Sequence, residues 1–173
     1  MIIAIKGEHN SGKTTFIQKL IEKMKDYKIM VIKSSGQENV DVAGKDSYYF
    51  RKKGAHASIV VAKNETALFT NSMDLKEAIN LAEKFFPDVI IIEGYESIEN
   101  LRCTVIDMEE KPDVDAVCQK ILREVKKIKI FVDGEELHLN KFVENLIYKT
   151  IKAMISSLKG GDGNEIEIML KCL

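Results

Sequence analysis

The sequence predicts an α/β fold, a mostly parallel sheet with helices on both faces, and three observations carry that expectation. Strand-like and helix-like segments alternate over roughly the first 125 residues. One strand candidate, VIII at 89–92, is apolar without interruption, as a strand buried on both faces requires. A glycine-rich loop, Gly7-Glu8-His9-Asn10-Ser11-Gly12-Lys13-Thr14, stands between a strand and a helix.

Residues 2–6 are β-branched and apolar, short enough for a buried strand. Over 14–27 the apolar residues Phe16, Ile17, Leu20, Ile21 and Met24 recur at helical spacing. A second strand covers 28–33. The stretch 34–46 holds two glycines and several acidic or amide residues, and reads as a functional loop. A short helix is expected over 47–53, stopped by Gly54. Strands follow at 57–62 and 68–70. Asp74 is placed to cap a helix running to Phe85, with Leu75, Ile79, Ala82 and Phe86 on one face and Pro87 as its stop. After the VIII strand come Glu93-Gly94-Tyr95, a strand over 103–107 and a helix over 114–127.

The character then changes. Asp133-Gly134 suits a type I′ turn between 129–132 and 135–139, a hairpin signal. Residues 140–158 form an amphipathic helix, 160–164 a turn, and 165–170 alternate like an edge strand. The expected organisation is a nucleotide-binding domain over 1–127 and a small hairpin–helix–strand extension over 128–173, packed on it as one structural unit. The extension is expected to serve dimerisation or partner docking, since an edge strand can extend a sheet.

Composition narrows the classes. With 173 residues, 45% hydrophobic and 31% charged, the chain has ample core for about one domain of roughly 150 residues. Its 26 basic and 27 acidic residues leave a net charge of -1, which argues against a nucleic-acid surface. Cys103, Cys118 and Cys172 have no CxxC spacing and read as idle thiols in a reducing cytoplasm. The N-terminus enters an apolar strand without a basic segment, so no secretory signal is expected. No apolar run approaches the ~20 residues that would span a bilayer.

The chemistry lies at 7–14, which matches G-x-x-x-x-G-K-[ST] in the required setting and so predicts a P-loop NTPase. A triphosphate brings about four negative charges, and such a loop meets them with backbone N–H groups and the positive end of a helix. Gly7 and Gly12 admit backbone that a Cβ would block. His9, Asn10 and Ser11 complete the loop, with His9 more bystander than base. Lys13 is expected on the β- and γ-phosphates and, with Asp41, as a catalytic group. Thr14 is expected on Mg²⁺ and Thr15 on the α-phosphate. An acidic partner for the magnesium is expected at Glu93, at the carboxyl end of the VIII strand, or at Asp41 in the long loop. Alternatively, Glu93 is a capping or solvated carboxylate and Asp41 an ordinary loop acid. Asp46 reads first as a helix cap. No N-K-x-D motif marks the base, so these residues imply a nucleoside triphosphate with Mg²⁺ and no more.

GEHNSGKTT at 7–15, VIK at 31–33, DVAGKDSYYFRKKGA at 41–55 and IIEGY at 91–95 resemble the molybdopterin-guanine dinucleotide biosynthesis adaptor family, MobB. The D-x-x-G-K-D-S stretch followed by an E-G-aromatic strand end is the more specific part. The resemblance covers about the first 125 residues. It implies a homodimeric P-loop protein that binds GTP with Mg²⁺, hydrolyses it slowly, and assists the nucleotidyltransferase joining GMP to molybdopterin. By position it puts Gly12, Lys13, Thr14 and Thr15 on the phosphates and Asp41 and Glu93 near the magnesium. Lys45 and Asp46 would line the same pocket. Histidines usual after the second strand are replaced by Ser34, Ser35 and Gly36, and the proline usual before Gly44 by Ala43. Two other classes compete. A small-molecule kinase using ATP would need several arginines, and Arg51, Arg102 and Arg123 are widely spread. A metal-delivery GTPase would need ligand clusters that the scattered histidines and cysteines do not form.

Overall fold

The computed structural model describes residues 1–95, 101–133, 135–163, 166 and 168. The chain divides into two compact units, Met1–Arg123 and Glu124–Leu173.

The first unit is built on four parallel strands: β1 (Ile2–Lys6), β2 (Ile29–Lys33), β5 (Val89–Glu93) and β6 (Thr104–Asp107), in the spatial order β2-β5-β1-β6. β5 pairs with β1 from Ile2↔Ile90 to Ile5↔Glu93, and with β2 from Ile29↔Val89 to Lys33↔Glu93. All five of its residues are buried, so the unbroken VIII run reflects a strand covered on both faces. On one face Ala4, Ile90 and Ile92 pack with Ile79 and Ala82 of α3 (Leu75–Glu83). Pleat alternation turns Ile3, Val89 and Ile91 to the other face. There α1 (Lys13–Lys23), in contact with β5, brings the buried Phe16, Ile17 and Leu20. α4 (Val114–Glu124) carries Val117, Cys118 and Ile121 inward, and its Asp115 is joined to Lys23 of α1 at 2.6 Å. Residues that differ in type but share helical spacing thus close both faces.

Helices α1, α3, α4 and α5 (Lys141–Ser156) end two to four residues earlier than their periodicity suggests, α4 at Glu124 and α5 at Ser156. α1 stops at Lys23, where Met24 leaves helical geometry and donates to both Leu20 and Ile21, so residues 25–27 form the turn into β2. α3 opens with a capping box: Glu77 N donates to Asp74 Oδ1 at 2.8 Å, and Asp74 N to Glu77 Oε2 at 2.9 Å. It closes at Glu83, and Phe86 is then 59% exposed at φ 51°, away from the face on which it was expected. The ring of Pro87 disfavours helical backbone at the preceding residue.

β3 (Ala57–Val61) and β4 (Thr66–Thr70) lie outside the parallel sheet, as a two-stranded antiparallel hairpin paired from Ala57↔Thr70 to Val61↔Thr66. Their link is too short for the crossover that parallel strands need. The hairpin leans on α2 (Asp46–Lys52), and its Ile59 and Val61 are exposed.

In the second unit β7 (Phe131–Val132) and β8 (Glu135–Glu136) pair antiparallel, and Leu137 N donates to Ile130 O at 2.7 Å. Gly134 of the expected turn and the expected strand over 165–170, apart from Ile166 and Ile168, lie outside the described residues, as does Cys172. α5 (Lys141–Ser156) is capped by Asn140, whose Oδ1 accepts from Val143 N at 3.0 Å. Its Glu144 is buried, accepts from Lys127 N at 3.0 Å and is ion-paired with Lys141 at 3.5 Å. No helix among the described residues is long and apolar enough to cross a membrane.

Candidate functional site

β1 delivers the glycine-rich loop to the carboxyl edge of the sheet, between neighbours β5 and β6. Three residues with positive φ curl it: Gly7 at 142°, Asn10 at 64° and Gly12 at 85°. Gly12 is the N-cap of α1 in left-handed geometry, no side chain caps the helix, and its first turn holds no acidic residue. The leading N–H groups and the positive helix end are therefore left for an anion. Ser11 Oγ is buried with no partner among the described residues, a further polar group left open at the loop.

Gly7 has no room for a side chain. A Cβ there would lie 2.7 Å from Ser11 Oγ and 2.9 Å from Met108 Cβ, in the short 3₁₀ turn Met108–Glu110 after β6. Gly7→Ala is expected to open the loop, costing about 1–3 kcal/mol of stability and most of the anion affinity. Denaturant unfolding with a parallel nucleotide titration checks this.

Lys13 folds back on its own loop. Its Nζ donates to Gly7 O at 2.7 Å and to Glu8 O. Two neutral carbonyls occupy two of the ammonium's three donors without neutralising it, so it is free to exchange them for phosphate oxygens. Thr14 Oγ1 donates to Glu93 Oε1 at 2.9 Å, joining the start of α1 to the end of β5. Glu93 is buried, and Lys33 Nζ stands 3.3 Å from each of its oxygens. Hydroxyl and carboxylate together suit a hard cation such as Mg²⁺, which takes one or two protein oxygens and fills its shell with phosphate and water. No group of three or more His, Cys, Asp or Glu among the described residues forms an all-protein metal cage.

Asp41 is placed differently from Glu93. It is buried, its Oδ1 accepting from Ser47 Oγ at 3.0 Å and its Oδ2 from Arg51 Nη2 at 2.8 Å, both on α2. Arg51 also donates to Thr70 O at 3.4 Å and lies over the Phe69 ring, so Asp41 ties the long loop to α2 and the hairpin. Lys45 is the N-cap of α2 and makes no side-chain cap bond; Asp46 sits one residue inside, where its charge favours the helix dipole without capping. Both are exposed, as are His9, Asn10 and Thr15. The structure thus gathers Gly7, Ser11, Gly12, Lys13, Thr14 and Glu93 around one loop and gives Asp41 partners of its own. Lys33 and Met108 are the neighbours that sequence reasoning missed. The signal for Lys33 was its position at the end of a strand, legible only once that strand is known to lie beside β5.

A family model described as molybdopterin guanine dinucleotide synthesis protein B, MobB, matches residues 2–133. The chain belongs to the MobB family. A relative from Methanocaldococcus jannaschii, named provisionally as a molybdopterin-guanine dinucleotide biosynthesis adapter protein, is 28% identical and the match covers 93% of each chain. The adapter protein of that name from Haemophilus influenzae is 24% identical, over 85% of this chain and 89% of its own. Among solved structures, Bacillus subtilis MobB superposes with a TM-score of 0.51 at 20% identity, over 73% of this chain and 99% of that one, which shows a common fold. The MobB match takes in the whole glycine-rich loop, the Asp41 loop and Glu93.

Proposed function

We propose that the protein is a GTP-binding accessory protein of molybdopterin guanine dinucleotide synthesis, acting with the nucleotidyltransferase that makes the dinucleotide. Family membership and the names of the relatives support the pathway. The observation that carries the nucleotide is the Thr14–Glu93 hydrogen bond beside an uncapped, lysine-bearing helix start. In this reading the N–H groups from Gly12 onward hold the phosphates, and Lys13 leaves its two carbonyls for the β- and γ-oxygens. Thr15 reaches the α-phosphate, and Thr14 and Glu93 hold Mg²⁺, which supplies charge neutralisation between the phosphates. Lys45 and Asp46, exposed at the start of α2, line the pocket edge. Asp41 acts from its clamp on Arg51, ordering the loop over the site.

Slow hydrolysis fits this arrangement. Fast phosphoryl transfer needs a cation on the developing charge, often an arginine. Arg51, on the helix after the long loop, is held by Asp41. That pairing also weighs against a small-molecule kinase. A homodimer in the cytoplasm is the expected working form.

The test is reconstitution with the purified nucleotidyltransferase, molybdopterin carrying molybdenum, and GTP. Adding this protein is expected to raise the yield of the dinucleotide, and Lys13→Ala to remove the gain. Equal yields with and without the protein would contradict the accessory role.

A further inference from the structure

We propose that Lys33 is a second phosphate-contacting cation of this site, the residue that distinguishes a nucleoside triphosphate from a diphosphate. This rests on the nucleotide-binding reading above and deepens it. β2 ends at Lys33 in register with Glu93, and β5 stands directly beside the strand that feeds the loop. The ammonium is 3.3 Å from Glu93 Oε1, the same oxygen that accepts from Thr14 Oγ1 at 2.9 Å. Lys33, Glu93 and Thr14 therefore meet at one carboxylate, at the first turn of α1.

The pair is unequal. The Lys33 side chain is 58% exposed, that of Glu93 9%. At 3.3 Å to both oxygens the contact is longer than the 2.7–2.9 Å of a strong charge-assisted bond. The buried carboxylate requires a cation, whereas the solvated ammonium does not require Glu93. A divalent cation on Thr14 and Glu93 would satisfy the carboxylate and repel Lys33. The lysine's long, water-exposed stem lets the ammonium move by a few rotamer changes. The anion within its reach is then the outermost phosphate, the one a diphosphate lacks. Lys13 is fixed at the loop itself, so the two lysines approach the phosphate chain from separate elements.

The experiment is calorimetric titration of the full chain with GTP and with GDP in Mg²⁺, for wild type, Lys33→Met and Lys33→Arg. Thermal unfolding checks that each variant folds, and Lys33→Gln serves if the methionine variant does not. Lys33→Met is expected to lose about tenfold in GTP affinity and less than about twofold in GDP affinity, while Lys33→Arg keeps the wild-type preference. An unchanged ratio of GTP to GDP affinity in Lys33→Met overturns the assignment, as does an equal loss for both nucleotides. Wild type that binds neither nucleotide overturns the binding reading and this inference together. Wild-type binding that Lys13→Ala abolishes, with Lys33→Met unaffected, overturns this inference alone.

Discussion

Lys13→Ala is expected to abolish measurable GTP binding while the protein stays folded. The lysine's two donor contacts are to main-chain carbonyls of Gly7 and Glu8, groups that water can serve equally well when the side chain is gone. The unfolding free energy should therefore move by no more than about 0.5 kcal/mol. Nucleotide affinity behaves otherwise. Two charge-assisted bonds to phosphate, at about 1.5–3 kcal/mol each, correspond to a loss of roughly 100-fold or more. Calorimetric titration and a denaturant curve on the same sample separate the two effects. A folded mutant with wild-type affinity would remove the loop from the function.

The largest stability effect is expected at Ile91. It is fully buried at the middle of β5, with Ile3 and Val31 as its neighbours in register on either side. Truncation to alanine leaves a cavity between strand and helix layer, and should cost about 2–5 kcal/mol. That is a large part of the roughly 5–15 kcal/mol that holds a domain of this size together. Because β5 also carries Glu93 at its end, GTP added in excess should recover part of the lost stability by mass action. Urea unfolding with and without GTP measures both. A cost under about 1 kcal/mol would mean that β5 is not the core strand.

Much of the fold was legible because its signals are local. The unbroken VIII run announced a doubly covered strand, and the strand–loop–helix setting of 7–14 placed the glycine-rich loop at a sheet edge. Asp74 was visible as a start signal, although the capping box it closes with Glu77 was not read. What failed depended on pairing. The alternation of elements does not say which strands share a sheet, so the hairpin β3–β4 was not separated from the parallel set, although its short link forbids a parallel crossover. Phe86 matched the helical stripe by spacing, but the proline after it takes the chain off the helix first.

The site divides along the same line. Glu93 stood out because the end of a buried strand is where such sheets bind ligands, and it does end β5 beside Thr14. Lys33 was not, since its approach to Glu93 follows from the order β2-β5-β1, which no local pattern encodes. Asp41 stood out as a loop carboxylate; that its charge is answered by Arg51, ten positions on, is a tertiary contact across a loop and a helix.

The most direct measurement is a calorimetric titration of the purified protein with GTP and with ATP in Mg²⁺, alongside Lys13→Ala. The expected result is GTP binding clearly tighter than ATP binding, hydrolysis much slower than enzyme turnover, and no heat from the mutant. Preference for ATP would contradict the guanine assignment, and binding that survives Lys13→Ala would contradict the site itself.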